Sequence, residues 1–281
     1  LCTALWGSAA PCIKKGYELF GIAEDASFSQ LLFAGWRFAL AGVLVLVAAK
    51  LKGHRILPVR SEWKPILWIS LFQSMLQYVC YYIGLSATTG TKGSVLSGTQ
   101  TFFALIFAHL FLQNDKLNRQ KALGCICGFA GVLVLGLGGL NGFNLAGDGL
   151  VLLSAASAGA GALVSRIFTP GRDPMLLTGW QLLLGGLLLG GIGAAGGGWL
   201  GAVTLPGVLL LGYMIVLSAA AFTIWTALLG KFPVGKVTVF GFLIPVFGAV
   251  FSALVLGENI FTLRNLAALM LVSGGIAVAN Y

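Results

Sequence analysis

Polar and aromatic side chains that could bind a small solute recur inside the most apolar stretches of the chain. Gln77 and Tyr81 are four positions apart and Tyr78 is beside them, so on a helix they share one side. Gln100 and Thr101 form a second patch. Polar groups that face lipid are costly, which predicts that both patches point into the protein. The alternative is that they hydrogen-bond one helix to another.

Two tryptophans and two cations complete the candidate binding residues. Trp6 lies in the first apolar run, and Trp225 lies in a later run with hydroxyl and aromatic neighbours. Lys14 follows Pro11, which favours a kink, and Arg37 lies one turn into the second predicted span. A buried cation without an acid nearby suits a carboxylate or phosphate. A cation near a span end can instead extend to the membrane surface.

Catalytic or metal chemistry has no candidate constellation in the sequence. His54 lies in a connection, His109 lies near a span end, and neither a hydrolase elbow nor a zinc-protease motif occurs. The five cysteines show neither a Cys-x-x-Cys pair nor a metal-binding spacing. The sequence therefore predicts a protein that is not an enzyme and has no catalytic residue, metal site or cofactor.

The eight acidic residues all fall at the ends of apolar runs or between them. Proton-driven and sodium-driven carriers usually hold a carboxylate in mid-membrane. The nearest acid here is Glu258, at the end of a run. The pattern leaves uniport, exchange and proton coupling open.

Composition indicates an integral membrane protein. Of 281 residues, 58% are hydrophobic and 9% are charged, whereas soluble domains carry about 25% charged residues. The apolar runs are continuous and about 20 residues long, which suits helices across about 30 Å of hydrocarbon rather than the strands of a barrel. The net charge of +9 is carried by residues between the runs, so it is not a nucleic-acid footprint.

The charges predict the orientation of ten predicted spans. These spans are 1–20, 29–51, 64–85, 92–112, 118–137, 148–168, 174–193, 205–229, 235–256 and 262–281. Connections on one side carry twelve Lys and Arg residues and those on the other side carry four. The positive-inside rule makes the first side cytoplasmic, with both termini there.

The chain matches itself at a shift of 144 positions without a gap. Two copies of one unit are therefore predicted, at 1–140 and 141–281. Each copy has five spans, an odd number, so the second copy is inverted relative to the first, and a binding site is expected at the midplane between them. The matched positions include Gly35 with Gly179, Gly42 with Gly186, Lys92 with Lys236 and Gly131 with Gly275.

Several short motifs accompany the duplicated pattern: Leu5-Trp6-Gly7-Ser8, Pro11, Lys14, Trp36-Arg37-Phe38, Ala41-Gly42, Pro245 and Leu256-Gly257-Glu258. Together with the repeat, these residues resemble the drug/metabolite transporter superfamily in its EamA-like branch. The resemblance implies ten helices around a central cavity that passes amino acids, other small metabolites, quaternary amines or drugs. The first copy departs from the family pattern, with Leu112-Gln113-Asn114 in place of Leu-Gly-Glu and Thr101 where proline is common, so the two gates are not expected to behave alike.

The sequence thus predicts an all-α integral membrane protein of ten transmembrane helices in two inverted five-helix repeats around a central cavity. The predicted function is alternating-access transport of small metabolites, with an amino-acid or related metabolite exporter of the bacterial inner membrane preferred. A quaternary amine or drug transporter, and a non-transporting scaffold or lipid-handling protein, are the alternatives. The expected partners are a small-molecule metabolite and the lipid bilayer, with no nucleic acid, in a monomer or dimer.

Overall fold

The computed structural model describes residues 1–23, 25–88, 90–136, 143–201, 203–256 and 263–280. Every regular element within these ranges is helical. Glu258 lies outside them. The α-helices are α1 Cys2–Leu19, α2 Ser27–Leu51, α3 Arg60–Ser70, α4 Gln77–Ser86, α5 Gly90–Gly98, α6 Gln100–Phe111, α7 Arg119–Gly136, α8 Asp148–Phe168, α9 Pro174–Ala195, α10 Leu205–Lys231, α11 Val234–Thr238, α12 Leu243–Leu256 and α13 Leu263–Asn280.

In the described part of the chain, five continuous helical segments are long and apolar enough to cross a membrane: Ser27–Leu51, Arg60–Leu85, Asp148–Phe168, Pro174–Ala195 and Leu205–Lys231. Shorter apolar helices cover Val95–Phe111, Val234–Gly248 and Leu266–Ala279. These lengths confirm the all-helical membrane class. The count of ten spans and their inversion stay predictions.

Local sequence explains where several helices begin and end. The side chain of Asp173 accepts a hydrogen bond from the Met175 amide at the start of α9. A proline occupies the first turn that follows, where it costs no helix hydrogen bond. The helix α2 ends at Gly53, whose φ of 79° is the left-handed conformation that glycine adopts without strain.

The third predicted span is not one uniform α-helix. A π-helical segment, Leu71–Leu76, separates α3 from α4. Within it, the Gln73 side chain accepts a hydrogen bond from Ser165, and the Ser74 hydroxyl accepts one from Gln181 at 3.2 Å. Such π segments are rare and recur at functional sites. The sequence did not predict this one.

The fourth and ninth predicted spans are both interrupted. Between α5 and α6, the hydroxyls of Ser97 and Thr99 donate to carbonyls three or four residues earlier, which bends helices. Between α11 and α12 the chain is a 3₁₀ segment, Val239–Phe242, and Pro245 follows in the first turn of α12. Pro245 therefore lies next to an interruption, whereas Pro11, where a kink was expected, lies inside an uninterrupted α1.

Small residues bring helices α2 and α9 into backbone contact. A Cβ atom on Gly42 would lie 2.6 Å from the Gly179 carbonyl oxygen, and one on Gly193 would lie 2.5 Å from the Leu32 nitrogen. Early residues of α2 face late residues of α9, so the two helices run antiparallel. The facing pairs are Leu32 with Gly193, Gly35 with Gly190, Ala39 with Gly186, Gly42 with Leu183 and Leu46 with Gly179.

Helices α7 and α13 pack in the same antiparallel manner. A Cβ on Gly131 would lie 2.8 Å from the Ala268 carbonyl oxygen, and one on Gly275 would lie 2.5 Å from that of Gly124. Glycine at these positions allows the backbones of α7 and α13 to approach closely. The small residues of α8 also serve packing, since a Cβ on Gly159 would lie 2.7 Å from the Ala104 nitrogen in α6.

Helix α1 packs between α10 and α12, and α8 packs between α4 and α6. Helix α2 lies against α9, α10 and α4. A buried apolar core forms where α2, α4, α9 and α10 meet, with Phe38, Tyr82, Leu182 and Phe222 among its members. The candidate site lies beside this core.

Candidate functional site

Arg37 is buried in the middle of the helix bundle. Its side chain is 2% exposed, and its Nε donates a hydrogen bond to the Ser218 hydroxyl at 3.0 Å. Ser218 lies thirteen residues from each end of α10, Leu205–Lys231, which is about 20 Å at 1.5 Å per residue. The prediction that Arg37 lies one turn into its helix is wrong, because α2 begins at Ser27 and ten of its residues precede Arg37.

The Arg37 charge has no acidic partner among the described residues. Its Nη1 is buried and makes no hydrogen bond with them. The described acids lie at helix ends, in first turns or between helices, as the sequence predicted for them: Glu18, Asp25, Glu62, Asp115, Asp148 and Asp173. A buried cation without a counter-ion is costly, so a functional role is the default expectation.

One aromatic ring lies against this guanidinium and connects it to a group of further rings. Its central carbon lies 4.4 Å from the Phe38 ring centroid, and Phe38 lies between Tyr78 at 4.6 Å and Phe222 at 5.9 Å. Trp6 contacts Phe222 at 5.3 Å and Trp225 at 5.0 Å, both edge to face. These are favourable ring geometries. We call the set the arginine–aromatic cluster; it comprises Trp6, Arg37, Phe38, Tyr78, Ser218, Phe222 and Trp225.

The structure thus brings together four of the nine predicted binding residues: Trp6, Arg37, Tyr78 and Trp225. Tyr81 is half-buried at the edge of the cluster, where its ring lies 5.9 Å from that of Tyr82. Gln77, also half-buried, precedes Tyr78 on α4, and its side chain makes no hydrogen bond within the described part of the chain.

Gln100 and Thr101 belong to a different contact. Thr101 is fully buried and its hydroxyl donates to the Thr238 carbonyl at 3.1 Å. A Cβ on Gly241 would lie 3.5 Å from the Gln100 side-chain nitrogen. These residues therefore join the interrupted helix α5–α6 to the interrupted helix α11–α12.

Lys14 is not part of the arginine–aromatic cluster. Its side chain is exposed on α1, and it forms no ion pair with the residues whose positions are described. The neighbouring Lys15 pairs with Glu18 at 2.5 Å on the same exposed surface. A substrate-binding role for Lys14 stays a prediction.

One member of the cluster, Phe38, was not predicted from the sequence to bind a solute. It follows Arg37 directly, and neighbouring residues on a helix point about 100° apart, so Phe38 does not share a helix face with Arg37. Ser218 and Phe222 are the hydroxyl and aromatic neighbours of Trp225 that the sequence indicated. They are four positions apart, and Trp225 is three further on, so α10 presents all three on one side.

A separate polar network lies where α6, α8, α10 and α11 end or begin. Asp115 is buried, pairs with Lys121 at 2.6 Å and accepts a hydrogen bond from the Gly235 amide. Arg166 donates to the Gly230 carbonyl at 3.0 Å. A cavity of about 150 Å³ adjoins this network and is lined by Leu112, Gln113, Asn114, Asp115, Arg166 and Pro233.

The chemistry available to the arginine–aromatic cluster is binding. It offers a guanidinium, the indole Nε1 of Trp6, which is buried and unpartnered within the described residues, and several ring faces. It contains no acidic side chain and no nucleophile next to a base. Within the described residues, no group of three or more His, Cys, Asp or Glu side chains could hold a metal ion.

Comparisons with known proteins identify the family of the chain. The family model described as the EamA-like transporter family matches residues 1–137 and again residues 145–281. An uncharacterized transporter of Bacillus subtilis, YvbV, is 29% identical over 98% of this chain and 88% of its own length. A WAT1-related chloroplastic protein of Arabidopsis thaliana is 27% identical over 94% of this chain, which spans only 64% of that protein.

Two further similarities extend the comparison. An uncharacterized inner membrane transporter of Escherichia coli, YedA, is 29% identical over 65% of this chain and 58% of its own length. One crystal structure, 19% identical, superposes with a TM-score of 0.79 over 99% of this chain and 93% of the other, which shows a shared fold. Since the family model accounts for both halves, this multi-pass integral membrane protein belongs to the EamA-like transporter family.

Proposed function

We propose that this protein is an alternating-access transporter of small metabolites, with an amino acid or related metabolite as substrate and export as the direction. The observation that carries the proposal is the buried Arg37, which has no acidic partner among the described residues, packs against the Phe38 ring and hydrogen-bonds to Ser218 at the middle of α10. Charged groups at that depth in membrane proteins mark substrate pathways. The transporter class follows from the family.

The proposed architecture is ten transmembrane helices in two inverted repeats, 1–140 and 141–281. Adding 144 to the last residue of α2, Leu51, gives 195, the last residue of α9. Gly53 and Gly197 are also 144 residues apart, have φ of 79° and 78°, and each follows the end of an equivalent helix, α2 or α9. One unit folded twice accounts for both coincidences.

Inversion is supported by the helix directions. Helices α2 and α9 are equivalent under the shift of 144 positions, and they pack antiparallel. Their contacts are reciprocal: Gly42 meets Gly179, and the equivalent Gly186 meets Gly35. A two-fold axis perpendicular to the helices, and so in the membrane plane, relates elements in this way.

The arginine–aromatic cluster lies where the two copies meet. Phe38 contacts both Tyr78 and Phe222, which are 144 residues apart and therefore equivalent. A residue in contact with equivalent positions of both copies is close to the axis between them. A solute bound there can be exposed to either side as the copies exchange conformations.

The interrupted helices are the proposed moving parts. The break at Thr99 and the 3₁₀ segment Val239–Phe242 occupy nearly equivalent places, and Thr101 joins them through the Thr238 carbonyl. Helix interruptions next to a repeat interface are typical of transporter binding sites and hinges. In this proposal Gln100 and Thr101 couple gate movement to the site.

A second candidate function, transport of quaternary amines, is favoured by the rings of Trp6, Tyr78 and Trp225, since aromatic faces attract cations. Arg37 opposes it. A non-transporting scaffold is the further alternative.

Counterflow in proteoliposomes tests the proposal. Vesicles loaded with a mixed amino-acid pool should take up labelled amino acids faster than protein-free vesicles, and vesicles loaded with choline and betaine serve as the second arm. Exchange of amines alone would favour the second candidate. An absence of exchange for every solute would favour the scaffold.

A further inference from the structure

Two buried hydrogen bonds lie at equivalent positions in the two halves of the chain, and they differ in the donor side chain. In one, Arg37 Nε donates to the Ser218 hydroxyl at 3.0 Å. In the other, Gln181 Nε2 donates to the Ser74 hydroxyl at 3.2 Å. Gln181 is Arg37 shifted by 144 positions, and Ser218 is Ser74 shifted by the same number. All four side chains are at most 2% exposed.

This repetition separates the structural role of Arg37 from its charge. The contact between the hydroxyl-bearing helix and its neighbour is also made by a neutral amide, that of Gln181, whose Oε1 is buried without a partner among the described residues. The positive charge at position 37 is thus not required for that contact, and it is costly in the membrane interior. A buried charge that helix packing does not require indicates a bound ligand of opposite charge.

The surroundings of Arg37 define the sign of that ligand. Arg37 Nη1 and Trp6 Nε1 are buried donors without a partner among the described residues. The cluster holds no acidic side chain that could accept from an ammonium group. Ser218 fixes one edge of the guanidinium and the Phe38 ring covers one face, so the remaining edge is oriented for a planar acceptor.

The charge balance favours a carboxylate over a phosphate. One guanidinium neutralises one negative charge, whereas a phosphate dianion would leave a net charge in a low-dielectric, aromatic environment. We propose that the transported substrate is an organic acid whose carboxylate binds Arg37 and whose apolar or aromatic body lies against Phe38, Tyr78 and Phe222. This inference rests on the proposed transport function and names the substrate class of the same site.

A series of phenyl compounds that differ only in charge tests the inference on the full chain in lipid nanodiscs. Binding of phenylacetate, phenylacetamide and 2-phenylethylamine is measured by calorimetry. Phenylacetate should bind ~10-fold to 100-fold more tightly than the neutral amide, as expected for a charge-assisted hydrogen bond. The amine should bind no better than the amide.

Arg37→Gln is the decisive variant, because Gln181 shows that glutamine makes the helix contact. It should lose the preference for phenylacetate over phenylacetamide while its affinity for the amide changes less than about threefold. Arg37→Lys, which keeps a charge without the planar fork, should retain part of the preference. The control Arg60→Gln removes the same charge from an exposed position at the start of α3 and should leave the preference intact.

Three results would overturn the inference: an undiminished carboxylate preference in Arg37→Gln, tighter binding of the amine or amide by the unmodified protein, or no binding of any of the three compounds. Counterflow measurements distinguish a failure of the carboxylate inference from a failure of the proposed transport function. If the unmodified protein exchanges neutral or cationic solutes but shows no carboxylate preference, transport stands and the carboxylate site does not. If it exchanges nothing, transport itself is excluded.

Discussion

Trp6 and Trp225 illustrate how burial changes what a substitution means. Trp225 is 8% exposed, packs edge to face on Trp6 and belongs to a buried cluster with Ala104, Ala162 and Leu229. Replacing it with alanine would open a cavity, at a cost of about 3–5 kcal/mol of folding stability. Loss of transport in that variant would therefore not identify a binding residue. Trp6 offers a cleaner experiment.

Trp6→Phe removes the indole Nε1 but keeps an aromatic ring. That nitrogen is buried and makes no hydrogen bond within the described part of the protein, so its loss leaves no protein group unsatisfied. We expect the melting temperature in detergent to be unchanged or higher, and counterflow to weaken because a donor to the solute is lost. Trp225→Phe is the comparison for ring size. Normal counterflow in Trp6→Phe would exclude a donor role.

The contact between α2 and α9 is made by backbone rather than by large side chains. A Cβ atom on Gly186 would overlap the backbone nitrogen of Ala39 in α2. Small residues of this kind hold membrane helices at close distance by dispersion and weak hydrogen bonds, since lipid supplies no hydrophobic driving force between helices. The same helix has a glycine, Gly191, with no atom near its missing Cβ.

This difference predicts opposite effects of one substitution on one helix. Gly186→Ala should destabilise the protein by about 1–3 kcal/mol, because overpacking forces the helices apart. Gly191→Ala should be neutral or stabilising by up to about 1 kcal/mol, because alanine favours the helical backbone. Thermal unfolding of both variants in the same detergent gives the comparison. Equal melting temperatures would contradict the close α2–α9 contact.

At the scale of the whole molecule, two features concern the relation between the halves. The reciprocal contacts of α2 with α9, and of α7 with α13, are those expected around a two-fold axis. The Asp115–Lys121 pair ties the turn after α6 to the amide of Gly235. The positions 144 residues further on, Asn259 and Asn265, are uncharged in the sequence, so the second half of the chain does not carry the charges for this ion pair.

The antiparallel packing predicts which connections share a side of the membrane. Lys52 follows the end of α2 and Trp199 follows the end of α9, so cysteines at these positions should lie on opposite sides. Lys116, with the predicted cytoplasmic residues, should label with Lys52. Each single cysteine is placed in a chain lacking the native five and treated with an impermeant maleimide in right-side-out cells. Labelling of positions 52 and 199 from one side would exclude the inverted repeat.

The sequence alone determined the class of the protein. Long apolar runs with few charges have no stable arrangement in water, so membrane helices follow from composition and run length. The shift of 144 positions predicted a duplicated unit, and the family model independently matched both halves. Residues such as Trp6, Tyr78 and Trp225 were selected as binding candidates because polar and aromatic groups inside an apolar transmembrane segment are expected to face other helices rather than lipid.

Only the tertiary structure decided which of these residues meet. Arg37 and Ser218 are 181 positions apart, and no periodicity within α2 or α10 encodes the depth at which the helices cross. The π segment Leu71–Leu76 and the break at Thr99 alter the register that a regular helix would have, so faces drawn on an ideal helix lose their alignment beyond them. Side-chain patterns specify which face is buried; the packing of the whole bundle specifies what that face contacts.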